Sequence, residues 1–172
     1  GTNNRDLTLI GTRSADTTTL IGADGNDTIT GGGGADVIAA GAGNDVITLN
    51  TDNVTQLAGT NSMLVDGGSG VDRLVIANTT AGTGTTLDLT NTTVLAKLRG
   101  IEAFDITGPT TTATNNTLKL DYRAVTTLAT NTDLGATAVN ESKMLVVNGN
   151  SGDILQLADT WTKAATATTG SV

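Results

Sequence analysis

The chain has 172 residues, a formal net charge of −8 from nine basic and seventeen acidic residues, and neither Cys nor His. The missing side chains exclude thiol catalysis, iron–sulfur clusters, disulfides and most zinc sites, and the acidic balance disfavours nucleic acid and anionic membranes as partners. Aromatic residues make up 2% of the chain, so small and β-branched side chains must fill the interior, which suits thin stacked strands.

A nine-residue pattern, with glycine two positions before an aspartate, dominates the N-terminal part of the chain. It recurs in frame at Gly22–Thr30, Gly31–Ala39, Ala40–Thr48 and Gly67–Val75. The eighth position of each copy is apolar: Ile29, Ile38, Ile47 and Leu74. Glycine permits the positive φ of a tight turn, and alternation after each aspartate points this apolar residue inward. Each copy therefore predicts a turn followed by a short strand, and two copies make one coil of a stack.

The pattern resembles the glycine- and aspartate-rich nonapeptide of RTX (repeats-in-toxin) proteins, which forms a calcium-binding β-helix. The resemblance implies an all-β fold, a parallel β-roll or β-solenoid with calcium between stacked glycine-rich turns. It also implies that sixth-position aspartates and turn carbonyls bind the metal. The implied ligand residues are Gly22, Asp24, Asp27, Gly31, Gly33, Asp36, Gly41, Gly43, Asp45, Gly68, Gly70 and Asp72.

Calcium is also favoured by the ligand types alone. Ca²⁺ takes six to eight oxygen ligands and accepts backbone carbonyls as readily as carboxylates. Zinc prefers His or Cys, and magnesium prefers a tighter octahedron that retains waters. A glycine-rich linker with solvated aspartates is the alternative, but a linker would not keep an apolar residue at every eighth position.

The repeat frame assigns partners to the aspartates. Asp27 and Asp45 are eighteen residues apart, so their turns, Gly22–Asp27 and Ala40–Asp45, are predicted to sandwich one ion. Upstream, the segment Arg13–Thr18 has Thr in the sixth position and predicts a degenerate coil.

Asp36 needs a different partner because it faces the other side of the stack. The stretch Leu49–Asp66 lacks the motif and is predicted to leave the stack as a loop, which would place Asp72 above Asp36. The alternative is a degenerate coil, which would bring Asp52 and Asn53 near Asp36.

The strict repeat ends at Val75, and alternating segments then predict further strands. These segments are Thr86–Thr90, Ile101–Thr107, Thr117–Leu120, Met144–Val147 and Ile154–Ala158. A helix is predicted after Asp121, which is a suitable N-cap. The predicted organisation is a repeat β-roll over residues 1–75, with a loop at 49–66, and an irregular solenoid continuation over residues 76–172 packed on it.

Three features of the chain allow two interpretations each. Asp66 is either an additional ligand or a solvated acid. The turn Asn148–Asp153 is either a further calcium turn or a plain loop. Tyr122 and Trp161 either mark a ligand groove or, as we expect for isolated aromatic residues, plug the end of a core of small residues.

The second half resembles a segment that accompanies RTX repeats near the C-termini of very large bacterial surface adhesins. The residues that carry this resemblance are "LRGIEAFDITG", "NNTLKLDYRAV" and "VVNGNSGDILQLADTW", within Gly67–Thr162. The resemblance implies a secreted, extracellular protein at the bacterial surface that folds on calcium and supports type I secretion, attachment and biofilm formation. An enzyme is not expected, because the chain has no His for a Ser–His or Cys–His arrangement and Glu102 and Asp105 would point to opposite faces of a strand. The alternatives are the calcium-binding tail of an RTX enzyme or toxin, and a surface-layer protein. The expected partners are calcium ions and a host or surface ligand bound through other domains, without nucleic acid or membrane insertion.

Overall fold

The computed structural model describes residues 5–12, 16–78, 83–108, 115–128 and 145–159. In chain order the elements are β1 (Thr8–Ile10), β2 (Thr19–Ile21), β3 (Thr28–Thr30), β4 (Val37–Ala42), β5 (Val46–Asn50), α1 (Thr51–Leu57), β6 (Leu64–Ser69), β7 (Arg73–Ala77), β8 (Thr86–Asp88), α2 (Thr92–Ala96), β9 (Leu98–Arg99), β10 (Ala103–Asp105), β11 (Thr117–Leu120), α3 (Tyr122–Leu128), β12 (Val146–Asn148) and β13 (Ile154–Leu157). Within the described ranges, every helix is too short or too polar to span a bilayer.

The strands form three parallel sheets, which confirms the predicted parallel β-roll. The first sheet has the order β1-β3-β5-β7-β10-β12, the second β2-β4-β6-β9 and the third β8-β11-β13. Pairing is parallel throughout. From β1 to β7, successive strands lie alternately in the first and second sheets. From β8 onward, the chain also contributes strands to the third sheet.

The apolar eighth positions form the core, as the repeat predicts. Ile29 pairs with Ile47, which pairs in turn with Leu74 and then with Phe104. All four side chains are fully buried. Phe104 is the largest of these buried side chains, whereas Tyr122 is 68% exposed, so the expectation that Tyr122 plugs a core is wrong. Trp161 lies outside the described residues.

The prediction that Leu49–Asp66 leaves the stack as a loop is wrong. Its first two residues complete β5, its middle forms α1, and Leu64–Asp66 begin β6, which pairs with β4. Helix α1 begins at a capping box, in which the Asn53 N–H donates to Asn50 Oδ1 at 2.9 Å and the Asn50 N–H donates to Asn53 Oδ1 at 3.3 Å. This coil is therefore longer than the eighteen-residue coil below it, because α1 adds residues where the chain crosses from β5 in the first sheet to β6 in the second.

Helix α1 contributes to the core through Val54 and Leu57, and Leu57 is fully buried. Leu57→Ala is expected to lower the free energy of unfolding by about 2–5 kcal/mol, since it leaves a cavity in a packed core. Thr55→Ala, on the exposed side of the same helix, is expected to cost less than about 1 kcal/mol. Urea unfolding in saturating calcium measures both values. Equal, small effects would mean that the segment does not belong to the stack.

The second half matches most of its predicted elements. Strands β8, β10, β11, β12 and β13 fall within or overlap the alternating segments, and α3 is capped by Asp121, whose Oδ1 accepts the Ala124 N–H at 2.7 Å. Helix α2, capped by Asn91, was not predicted. Part of the predicted degenerate coil, residues 13–15, and the start of the predicted strand Met144–Val147 lie outside the described residues.

Candidate metal centre

Acidic side chains line one corner of the solenoid, at the turns that lead from the second sheet to the first. This first corner comprises the turns 22–27, 40–45, 67–72 and 100–102. Each turn ends in an acid directly before a strand of the first sheet: Asp27, Asp45, Asp72 and Glu102. All four acids are at most 1% exposed. Most of the predicted ligand residues lie here: Gly22, Asp24, Asp27, Gly41, Gly43, Asp45, Gly68, Gly70 and Asp72.

Backbone hydrogen bonds link these acids into a column. The Asp27 N–H donates to Asp45 Oδ1 at 2.7 Å, and the Asp45 N–H donates to Asp72 Oδ1 at 2.8 Å. The Asp72 N–H donates to Glu102 Oε2 at 2.9 Å. The predicted pairing of Asp27 with Asp45 is thus present as a direct contact between neighbouring turns, and the same contact continues upward through two further coils.

The second carboxylate oxygen of two of these acids has no partner. Asp45 Oδ2 and Asp72 Oδ2 are both buried without a hydrogen bond. The ion pairs among the described residues join other acids to Arg73, Lys119 and Arg123. Leaving a buried carboxylate oxygen unpaired is costly, so these two oxygens favour a bound cation or a proton.

The pKa values of Asp45 and Asp72 reflect the same unfavourable burial of charge. Burial above all, with the charge of Asp27 adding to it, raises the pKa of Asp45. Burial, followed by the nearby charges of Asp45, Glu102 and Asp66, raises the pKa of Asp72 to about 7, although the Asp45 N–H opposes the shift. A bound divalent cation would reverse this repulsion and keep the acids ionised.

Glycine lets the stacked turns approach closely at this corner. Gly70 has φ +137° and lies directly over Gly43, so a Cβ at position 70 would overlap the carbonyl oxygen of Gly43. No residue with a side chain fits there without moving the backbone. The close stacking holds backbone carbonyls beside the column of carboxylates.

The donor set of the first corner fits calcium. Among the described residues, no three acidic, His or Cys side chains converge on one point, because the acids are spread along the stack with one acid in each coil. A cation between two coils would therefore be held by two carboxylates, such as those of Asp45 and Asp72, together with turn carbonyls. Calcium accepts this mixture of oxygen ligands, whereas zinc does not favour it.

Asp36 lies at a different place, so its predicted pairing with Asp72 is wrong. It ends the turn 31–36, which leads from the first sheet to the second and contains the predicted ligands Gly31 and Gly33. Asp36 Oδ1 accepts the Thr18 N–H at 2.9 Å, and Asp36 Oδ2 accepts the Asn53 side-chain amide at 2.9 Å. The segment that contains α1 crosses once, from β5 in the first sheet to β6 in the second, so Asp72 returns above Asp45 rather than above Asp36.

Sequence reasoning missed Glu102 as a member of the column. Gly100-Ile101-Glu102 repeats the spacing of Gly43-Asn44-Asp45 with one additional methylene in the acid, and this was the available signal. The turn is three residues shorter than Gly67–Asp72, which hid it from a nine-residue frame.

A second ladder on the outside of the first corner was also missed. The Asn44 N–H donates to Asn26 Oδ1 at 2.8 Å, and the Val71 N–H donates to Asn44 Oδ1 at 2.9 Å. The repeated Gly-Asn-Asp of these turns was its signal. The ladder ties the exposed edges of the turns together beside the acids.

The structure shows the surroundings of Asp66 and Asp153, two acids whose roles the sequence leaves open. Asp66 is half-buried, and its charge contributes to the raised pKa of Asp72. Asp153 has both oxygens engaged, because Oδ1 accepts the Asn116 N–H at 2.9 Å and Oδ2 accepts the Asn150 N–H at 2.8 Å. Whether Asn148–Asp153 binds calcium stays a prediction.

The comparison with protein families agrees with the geometry of the lower coils. Residues 12–47 match the family model described as the RTX calcium-binding nonapeptide repeat, in four copies. No curated protein and no solved structure matches the chain. The acidic column continues beyond the matched residues, through Asp72 and Glu102.

Proposed function

We propose that this chain, which carries RTX calcium-binding repeats over residues 12–47, is a calcium-folded part of a secreted bacterial surface adhesin. In this proposal the chain leaves the cell incompletely folded through type I secretion. It folds where calcium is abundant and supports attachment at the cell surface. Calcium is its structural cofactor, and surface or host ligands bind through other domains of the parent protein.

The observation that carries the proposal is the pair of buried, unpartnered oxygens, Asp45 Oδ2 and Asp72 Oδ2. A column of stacked acids is unfavourable without a cation, so folding is coupled to the external calcium concentration. The low calcium concentration inside cells would keep the acidic column open and the chain incompletely folded, and therefore competent for export.

The geometry supports a structural rather than a catalytic role for the acids. Asp45, Asp72 and Glu102 are buried and point at neighbouring turns, so a substrate has no access to them. General acid–base catalysis requires a group within hydrogen-bond reach of the substrate. The adhesin context is supported by the resemblance of the second half to segments beside adhesin RTX repeats.

Two experiments test the proposal. The first tests calcium-coupled folding, and the second tests the adhesin role. In the first, the purified chain is titrated with calcium or with magnesium while far-ultraviolet circular dichroism and native mass spectrometry follow folding and bound ions. We expect β structure to increase as ions bind at millimolar calcium, and a much weaker response to magnesium. Full folding in excess chelator would contradict calcium-coupled folding.

The second experiment separates the adhesin from the enzyme tail. The coding region for residues 5–159 is deleted in frame from the parent gene, and cell attachment and the culture medium are assayed. An adhesin is expected to lose attachment while growth is unchanged. Normal attachment, with loss of a secreted enzyme activity, would instead identify the tail of an RTX enzyme or toxin.

A further inference from the structure

A second corner of the solenoid repeats part of the hydrogen-bond ladder of the first but carries mostly neutral side chains. This second corner lies where the chain leaves strands of the first sheet. It includes the turn before β4, the start of α1 and the turns before the strands of the third sheet. From bottom to top, its residues are Asp36, Asn53, Thr85, Asn116 and Asp153. The Thr85 N–H donates to Asn116 Oδ1, and the Asn116 N–H donates to Asp153 Oδ1, both at 2.9 Å. These contacts repeat those between the acids of the first corner.

The side-chain amide of Asn53 supplies hydrogen-bond donors to oxygens that a cation would otherwise contact. Its Nδ2 donates to Asp36 Oδ2 at 2.9 Å and to the Gly34 carbonyl at 3.0 Å, and the residue is fully buried. The neighbouring Asn50 Nδ2 donates to the Gly32 carbonyl at 2.6 Å. A carboxylate oxygen and two turn carbonyls are thus satisfied by side-chain amides. Asp36 has no buried oxygen without a partner, in contrast to Asp45 and Asp72.

Asn116 has the same role two coils higher. It is fully buried, and its Nδ2 donates to the Ile106 carbonyl at 2.7 Å. Its Oδ1 accepts both the Thr85 N–H and the Asn78 side-chain amide, the latter at 2.7 Å. An amide can accept and donate at one position without charge, so the stacked groups do not repel one another.

We propose that the amides of Asn53 and Asn116 take the place of the cation at the second corner, so that this corner is ordered by protein donors and calcium binds at the first corner. The inference rests on the proposed calcium-dependent folding and assigns it to one side of the molecule. The calcium-free chain would then keep the second corner and the part of the core beside it while the first corner opens.

Hydrogen exchange on the unmodified chain tests the inference directly. The amides of Thr85 and Asn116 report the second corner, and those of Asp45 and Asp72 report the first. In excess chelator, exchange at Asp45 and Asp72 is expected to be at least tenfold faster than at Thr85 and Asn116. Calcium should slow exchange at the first pair by a larger factor than at the second. Equal exchange at both corners in chelator, with equal protection by calcium, would overturn the inference.

A substitution provides the complementary test. Asn53→Asp replaces the donor with a second carboxylate facing Asp36, so the chain should bind one more calcium ion and lose stability in chelator. Asn91→Asp is the matched control, because Asn91 also caps a short helix through its Oδ1 but donates to no carboxylate. The control should leave the number of ions unchanged. An unchanged ion count and unchanged chelator stability for Asn53→Asp would overturn the inference.

The outcomes distinguish this inference from the function on which it rests. If the unmodified chain binds no calcium, the proposed function and the inference are both wrong. If it binds calcium and folds on it, but Asn53→Asp and Asn91→Asp behave alike and both corners exchange alike, only the inference is wrong.

Discussion

Excess chelator at pH 8 is expected to open the first corner and disorder the strands that it joins, whereas the same chelator at pH 5 leaves more of the parallel sheet intact. The pKa of Asp72 is about 7 in the fold and 3.8 in the free side chain. Between these values the unfolded chain releases a proton that the folded chain retains. The stability of the calcium-free fold therefore falls as the pH rises from about 4 to about 7, and levels off above that range. Each unit of pKa difference corresponds to about 1.4 kcal/mol.

Urea unfolding at pH 5 and pH 8, in chelator and in saturating calcium, measures this effect. The order should reverse with calcium, because protons compete with the ion for the same oxygens. The calcium-bound chain should thus be more stable at pH 8 than at pH 5. A calcium-free chain that is more stable at pH 8 would show that the acids of the first corner are not buried together.

Replacing Asp72 with Asn is expected to have opposite effects with and without calcium. Asn keeps an oxygen that can accept the Asp45 N–H but removes the charge that faces Asp45 and Glu102. In chelator, Asp72→Asn should raise the free energy of unfolding by about 1–3 kcal/mol, since a costly buried charge is lost. In calcium it should remove one bound ion and weaken overall affinity at least tenfold, because a charged ligand is lost.

Asp24→Asn is the matched control for this substitution. Asp24 belongs to a turn of the same corner, but its side chain is exposed and takes no part in the acidic column. Asp24→Asn should leave both the free energy of unfolding and the number of bound ions nearly unchanged. Calorimetric titration and urea unfolding of the two variants give the comparison. Equal numbers of bound ions for the two variants would show that Asp72 does not bind the metal.

The sequence was sufficient to predict the coils in which the repeat is unbroken. Ile29 and Ile47 are buried in register, and Asp27 lies against Asp45, because eighteen residues return the chain to the same side. The prediction failed where coil length changed. Asn50 and Asn53 form a capping box with Asn in place of the usual Glu or Gln, so the signal for α1 was weak, and without the helix the side of Asp72 could not be assigned.

Glu102 was missed for a related physical reason. What the column requires is an acid directly before a strand of the first sheet, at the height of one coil. A shorter turn with a longer side chain meets this requirement as well as the repeat does. Periodicity records the number of residues in a turn, whereas the ladder depends on the position of the carboxylate.

The ladder of acids also has a direction and an end. Each acid offers its N–H to the carboxylate of the coil above, but the Glu102 N–H turns back to the Asp72 carbonyl at 3.1 Å. Glu102 therefore offers no N–H to a further acidic turn, and the strand above it is β12, whose Val146 N–H donates to the Glu102 carbonyl at 2.9 Å. A solenoid of in-register parallel strands is open to fibre-like growth at its edge strands, and the charged column closes beneath β12, which follows Leu145 rather than an acid among the described residues.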